Sequence, residues 1–123
     1  MKKVILLMVL FFGTFTAFAQ TSGKYQADRD LPSLNISKGD IVYISFSRNF
    51  GNIADAISFE NMSNLTSFIA QSSGGMAGLR DGYNFAFYDI EGVPSLKNKY
   101  SIKIQYNKSK VRIYNCTFTK IRD

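Results

Sequence analysis

Histidine and tryptophan are missing from this 123-residue sequence, and cysteine occurs once, at position 116. Without histidine there can be no Ser-His-Asp triad, no Cys-His pair and no imidazole metal site. A single thiol can neither supply the closely spaced ligands of a zinc site nor close an internal disulfide. We therefore expect no cofactor. Cys116 is expected to be a small buried side chain, with a reactive or intermolecularly bonded thiol as the alternative.

Residues 1–19 have the composition of a secretory signal peptide. Lys2 and Lys3 precede an apolar run at 4–12, and Ala17-Phe18-Ala19 matches the small-x-small pattern of a signal-peptidase site. The apolar run is shorter than the roughly 20 residues that span a bilayer. We expect export to the periplasm or the medium, no membrane span, and a single domain at 20–123, which is too short for two.

Two segments of the sequence fit either a helix or a strand. In 41–50, Val42, Phe46 and Phe50 fall on one helical stripe after Ser37 and Asp40, which suit a helix start. The same segment begins with a β-rich alternation. In 65–72, helical spacing and strand alternation are again both present, and the residues alone do not decide between them.

The remaining pattern is clearer and mostly β. Segment 55–61 alternates weakly, whereas 83–90 and 99–106 alternate well. The four glycines of 74–82 predict a loop. Residues 107–109 predict a turn, after which 111–121 returns as an antiparallel strand. A β-bulge near 114–115 is expected to bring four residues to the core: Val111, Ile113, Cys116 and Phe118.

Taken in order, several short motifs resemble a family of small exported bacterial domains of unknown function with a fold like that of the TATA-box-binding protein. The matching stretches are FSRNF at 46–50, DAISFEN at 55–61, FIAQ at 68–71 and YSIKIQYNKSKVR at 100–112. The resemblance implies a helix at 41–50 and a strand at 65–72. It implies no activity and no site, and a shared fold does not transfer DNA binding.

The expected fold class is therefore α+β, an antiparallel sheet with one face covered by one or two helices, in the order β-α-β-β-β-β. This expectation combines the β-rich C-terminal third with the helix that the resemblance implies.

Positive charge is concentrated at the C-terminal end of the chain. Residues 93–123 carry eight Lys or Arg and one acid, whereas 20–92 carry five basic and eight acidic residues. The candidate binding patch is the predicted hairpin with Lys103, Lys108, Lys110 and Arg112, interleaved with tyrosines. It suits polyanions such as acidic glycans or lipopolysaccharide phosphates. The alternative is a solvated sheet face whose lysines discourage edge-to-edge aggregation.

We predict a non-catalytic exported domain that binds an envelope component or a protein partner. Export and the missing aromatic signature of RNA-binding sheets disfavour nucleic acid. One alternative is a small hydrolase that uses Asp89 and Glu91, which lie two apart on a predicted strand. A second alternative is a structural subunit of an envelope assembly.

Overall fold

A computed structural model describes residues 22–47, 53–93 and 101–122 of the chain. The signal-peptide prediction lies outside these ranges. Eight strands follow one another, each antiparallel to the next, and the last pairs with the first to close a barrel. They are β1 Gly23–Ala27, β2 Ile41–Ser47, β3 Ala56–Asn61, β4 Thr66–Arg80, β5 Tyr83–Glu91, β6 Ile102–Tyr106, β7 Lys110–Ile113 and β8 Cys116–Arg122.

The α+β prediction is wrong, because the described residues form an all-β barrel. Their helical content is one 3₁₀ turn, Pro32–Leu34, in the connection between β1 and β2. No helix in the described part of the chain is long and apolar enough to cross a membrane.

Residues 41–47 form a strand, so the helix implied for 41–50 is wrong. Val42 and Ile44 are fully buried while Tyr43 between them is exposed, which is the period of a strand. The residues that looked like a helix start form a turn instead. Asp40 Oδ2 accepts the Ser37 amide at 2.9 Å, and the Asp40 amide donates to the Ser37 carbonyl at 2.9 Å. Residues 48–50 lie outside the described ranges.

Residues 74–82 are not a loop, because β4 continues to Arg80 and turns tightly into β5. Asp81 and Gly82 both have positive φ, 54° and 80°, as the favoured two-residue hairpin turn requires. Gly78 is small for a different reason. A Cβ there would lie 3.3 Å from the ring of Phe85, so the ring packs directly on the glycine backbone.

β4 also outruns β3. The pairing of β3 with β4 ends at Ala56 opposite Gln71, and beyond it β4 pairs with β5. The β4–β5 register shifts between Ser72 and Ala77, where β4 holds extra residues opposite Phe87. Such a bulge bends a strand and blunts an exposed edge against pairing with another chain.

The C-terminal strands confirm the predicted core and correct the predicted bulge. Val111, Ile113, Cys116 and Phe118 are all fully buried. They reach one face because Ile113 pairs directly with Cys116 across a turn at Tyr114 and Asn115, and Tyr114 has a φ of 53°. The predicted strands at 55–61 and 83–90 are confirmed as β3 and β5, and the 65–72 ambiguity resolves as the first half of β4.

Side chains from all eight strands fill the barrel. An eight-stranded barrel is just wide enough for its inward side chains to pack against one another. Phe59 stacks on its cross-strand partner Phe68 with ring centroids 4.5 Å apart, and the Phe59 ring lies 6.2 Å from that of Phe118 on β8. Side chains from β3, β4 and β8 therefore meet in one core.

Two buried tyrosines attach the connection between β2 and β3 to this core. The Ala54 amide donates to Tyr106 Oη at 2.8 Å, and Tyr88 Oη donates to the Ala54 carbonyl at 2.7 Å. The two hydroxyls are 2.7 Å apart, so Tyr106 donates to Tyr88 and the ring of hydrogen bonds closes. Both polar groups of the fully buried Ala54 backbone are thereby satisfied. Burial is the main cause that raises the pKa of Tyr88, followed by its hydrogen bond to Tyr106.

We expect Gly82→Ala to lower the free energy of unfolding by about 1–2 kcal/mol, because a Cβ disfavours the left-handed conformation. Urea denaturation would measure the change. Gly75→Ala is the matched control, since its Cβ would meet nothing closer than Ser73 Oγ at 3.8 Å. Equal loss in both variants would contradict the turn.

We expect Tyr88→Phe to lower the free energy of unfolding by about 1–3 kcal/mol, because the Ala54 carbonyl loses its donor inside the core. Tyr43→Phe, at an exposed tyrosine, should leave stability unchanged in the same urea titration. A loss no greater at Tyr88 than at Tyr43 would contradict the hydrogen-bonded ring.

The same pair of variants tests the raised pKa of Tyr88. Above pH 10.0, the ordinary tyrosine value, unfolded Tyr88 ionises while folded Tyr88 stays neutral. The unfolded state is then favoured, and stability should fall as the pH rises beyond that point. The fall should be shallower in Tyr88→Phe than in Tyr43→Phe when denaturation midpoints are compared between neutral and alkaline pH.

Candidate functional site

The predicted basic residues occupy the outside of β6 and β7 and the turn between them. Lys103, Lys110 and Arg112 are exposed and alternate with inward residues that are buried. Lys108 is exposed in the turn that joins the two strands. Period-two alternation therefore places three of the four predicted residues on one outward face.

Two of these cations lie over aromatic rings of β5, which is adjacent to β6 and separated from β7 by β6. Lys103 Nζ is 5.9 Å from the centroid of Phe85, and Arg112 Cζ is 5.9 Å from the centroid of Tyr83. Both distances fall just inside the roughly 6 Å range of a cation–π contact, which contributes about 0.5–1 kcal/mol at an exposed site. The rings of Tyr83 and Phe85 are half-buried, and each ring is in contact with a charged group.

Arg80 joins this face, although the glycine pattern of 74–82 predicts a loop there. It pairs directly with Tyr83 across the Asp81-Gly82 turn, and directly paired residues project from the same side of a sheet. The Asp-Gly pair was the signal that would have placed it. We call Arg80, Lys103, Lys110 and Arg112 the basic face.

The aromatic residues of the basic face are not the tyrosines interleaved with the lysines in the sequence. Tyr106 is fully buried in the barrel, and Tyr114 is exposed in the turn between β7 and β8. Tyr100 lies outside the described residues. The aromatic neighbours instead come from β5, because the pairing of β5 with β6 brings Phe85 opposite Gln105 and Phe87 opposite Lys103.

Among the other basic residues of the C-terminal segment, Lys120 does not belong to the basic face. Lys97 and Lys99 fall outside the described ranges. Lys120 is half-buried and pairs with the inward Tyr25, so it does not extend the outward face. The excess of positive charge in the sequence is thus divided among surfaces.

Asp89 and Glu91, the candidate carboxylate pair, both project outward from β5 and are exposed. Asp89 Oδ1 accepts a hydrogen bond from Ser101 Oγ at 2.9 Å. The pair lies on the convex outside of the barrel, at the end of β5 away from Tyr83. Within the described ranges, no group of three or more His, Cys, Asp or Glu residues is placed to hold a metal ion.

The fold and its outer face define a class, the closed up-and-down β-barrel, here with cations over aromatic rings on the outside. In comparisons with known proteins, no family model, no curated protein and no solved structure matches the chain. The resemblance to the family with a TATA-box-binding-protein-like fold is wrong, because no family model matches and the described residues form a closed barrel whose helical content is one 3₁₀ turn.

Cys116 is fully buried at the start of β8, as expected. Its Sγ donates to the Arg29 carbonyl at 3.5 Å. Burial is the main cause that raises the pKa of the thiol, which disfavours the reactive thiolate.

We expect the Cys116 thiol to react with a chromogenic disulfide reagent only after the protein unfolds, because the native fold excludes the reagent and disfavours the thiolate. Labelling in neutral buffer should be slow, and labelling in concentrated guanidinium chloride should be fast and stoichiometric. Rapid labelling of the native protein would contradict the burial of Cys116.

Proposed function

We propose that this chain is an exported, non-catalytic β-barrel that binds an anionic component of the cell envelope through its basic face. The observation that carries the proposal is the pair of cations over aromatic rings: Lys103 over Phe85 and Arg112 over Tyr83, each at 5.9 Å. Export rests on the signal-peptide pattern at residues 1–19.

The strand pairing weakens the alternative explanation, in which these charges serve only to prevent edge-to-edge aggregation. Lysines on a sheet often serve to prevent pairing between exposed edges. β6 and β7 are each paired on both sides, and barrel closure removes the edge that such lysines would protect. For Lys103, Lys110 and Arg112, which stand on β6 and β7, another role is therefore called for. Arg80 lies beyond the pairing of β4 with β3, so protection of that edge can still explain its charge.

Aromatic rings beneath the cations favour a ligand that carries both charge and apolar surface. A cation–π contact with each ring restricts the charged end before a ligand arrives, which limits the entropy lost on binding. A phosphorylated or carboxylated envelope polymer offers repeated negative charges together with sugar or glycerol carbons. Both parts would find partners on Tyr83, Phe85 and the neighbouring cations.

We expect residues 20–123 to bind heparin, used as a generic polyanion, with affinity that falls steeply with salt. If all four cations of the basic face engage, a log–log plot should have a slope of about −3, from roughly 0.7–0.9 counterions released per contact on a nucleic-acid-like polyanion. Calorimetry or fluorescence titration over a range of sodium chloride concentrations would measure it. Binding that does not change with salt would contradict the proposal.

Two variants with the same net charge should distinguish the contribution of the basic face to heparin affinity from the contribution of net charge. The triple variant Lys103→Glu, Lys110→Glu and Arg112→Glu should lose at least about tenfold in heparin affinity, since exposed charge contacts contribute up to roughly 1 kcal/mol each. The control, Arg29→Glu with Lys38→Glu and Arg122→Glu, changes net charge equally at exposed sites elsewhere. Equal loss in both would show that net charge, not this face, drives binding.

The natural ligand class can be sought with the wild type and the same two variants as baits for detergent-solubilised envelope. We expect an anionic glycan or phosphorylated lipid to be retained by the wild-type and control baits and lost from the basic-face variant. Identical capture by all three baits would contradict the proposal and would indicate that these charges serve solubility, not binding.

A further inference from the structure

A second surface lies at one end of the barrel, where the β1–β2 connection meets the turn between β3 and β4. An open cavity of about 370 Å³ is formed there. Its lining comprises Asp30, Pro32, Asn35, Ile36, Ser37 and Asn64. The volume lies within the range of small-molecule sites, and no lining residue belongs to the basic face.

Hydrogen bonds from the core hold the walls of this cavity in place. Asn61 has a buried amide side chain that is only 3 % exposed. Its Nδ2 donates to the Asn35 carbonyl at 3.1 Å and to Asp40 Oδ2 at 2.8 Å. Asn64 Nδ2 donates to the same Asn35 carbonyl at 2.8 Å. The two connections are therefore joined through Asn35, and the cavity is preorganised.

Several polar groups at the cavity are left unused by this framework. Asp30 Oδ1 accepts the Lys38 amide at 2.7 Å, whereas its second oxygen makes no hydrogen bond to any described residue. The Asn35 amide side chain and the Ser37 hydroxyl likewise make none among those residues. Pro32 adds an apolar surface beside them. Donors, acceptors and a hydrocarbon surface thus surround one small volume.

We infer that this end cavity binds a neutral saccharide unit. Sugar hydroxyls both donate and accept, which matches an amide, a hydroxyl and a carboxylate oxygen, and the C–H face of a sugar ring fits Pro32. The Asp30 carboxylate disfavours an anion. A calcium ion would need six to eight oxygen ligands, but the Asn35 carbonyl already accepts two hydrogen bonds and one carboxylate remains.

The test is a titration of residues 20–123 with neutral hexoses and N-acetylhexosamines, followed by backbone amide NMR. At least one sugar should bind saturably and shift the amides of Asn35, Ser37 and Asn64. The double variant Asn35→Gly and Ser37→Ala should weaken that binding at least about tenfold, because two hydrogen bonds are removed. Glycine suits the Asn35 backbone, whose φ is 59°, so the fold should persist.

The control is Ser109→Ala with Asn115→Gly, the same chemical changes at exposed turn residues that do not line the cavity. It should bind the sugar as the wild type does. The absence of saturable binding across the panel would overturn the inference, and so would binding that survives Asn35→Gly and Ser37→Ala. The basic-face triple variant should retain sugar binding, so failure here is distinct from failure of polyanion binding.

Discussion

Closure of the barrel by the pairing of β1 with β8 is the constraint on which the rest of the structure depends. Ala27 at the end of β1 pairs with Phe118, and Gln26 pairs with Thr119. This pairing joins residues close to the two ends of the described chain, so its loop entropy is the largest of any strand pair. Once it forms, each strand has two neighbours, and every side chain points either into the barrel or out of it.

Closure also decides where a ligand can bind. The inward positions are filled by large side chains, among them Tyr25, Phe59, Tyr88, Tyr106 and Phe118, each less than 2 % exposed. The tyrosine hydroxyls at 88 and 106 are committed to Ala54 and to each other. Recognition is therefore left to the outer face and to the connections at the barrel ends, and the two surfaces proposed as sites lie in these places.

The strands were predictable from the sequence where the alternation of apolar and polar residues was regular. The errors arose where the same residues suit two different local structures. Asp40 after Ser37 reads as the start of a helix, yet the same carboxylate also closes a tight turn by accepting the Ser37 amide. Local pattern cannot choose between them, because the choice depends on whether Val42 and Ile44 face a partner strand. β1 and β3 are the strands that pair with β2, and neither pairing was visible in the local sequence.

Glycines misled for a related reason. The four glycines in 74–82 predicted a loop. In the structure the Phe85 ring packs on the backbone of Gly78, and Gly82 forms the second position of a two-residue turn. The candidate patch was predicted in part: Lys103, Lys110 and Arg112 follow from the parity of β6 and β7. Arg80 could have been placed opposite Tyr83 by the Asp81-Gly82 turn signal. The position of the β5 rings beside Lys103 required the β5–β6 register, which no local pattern contains.

The curvature of the barrel favours an extended ligand over a small anion at the basic face. A small anion is bound best where several donors converge, whereas side chains on the convex side of a closed sheet diverge from one another. Arg80 and Lys103 stand on different strands, with β5 between them, so their charges reach separate points. A chain of negative charges can follow such a surface and meet the cations one after another. Lys103 over Phe85 and Arg112 over Tyr83 then offer two charged contacts along its path, each beside an aromatic ring.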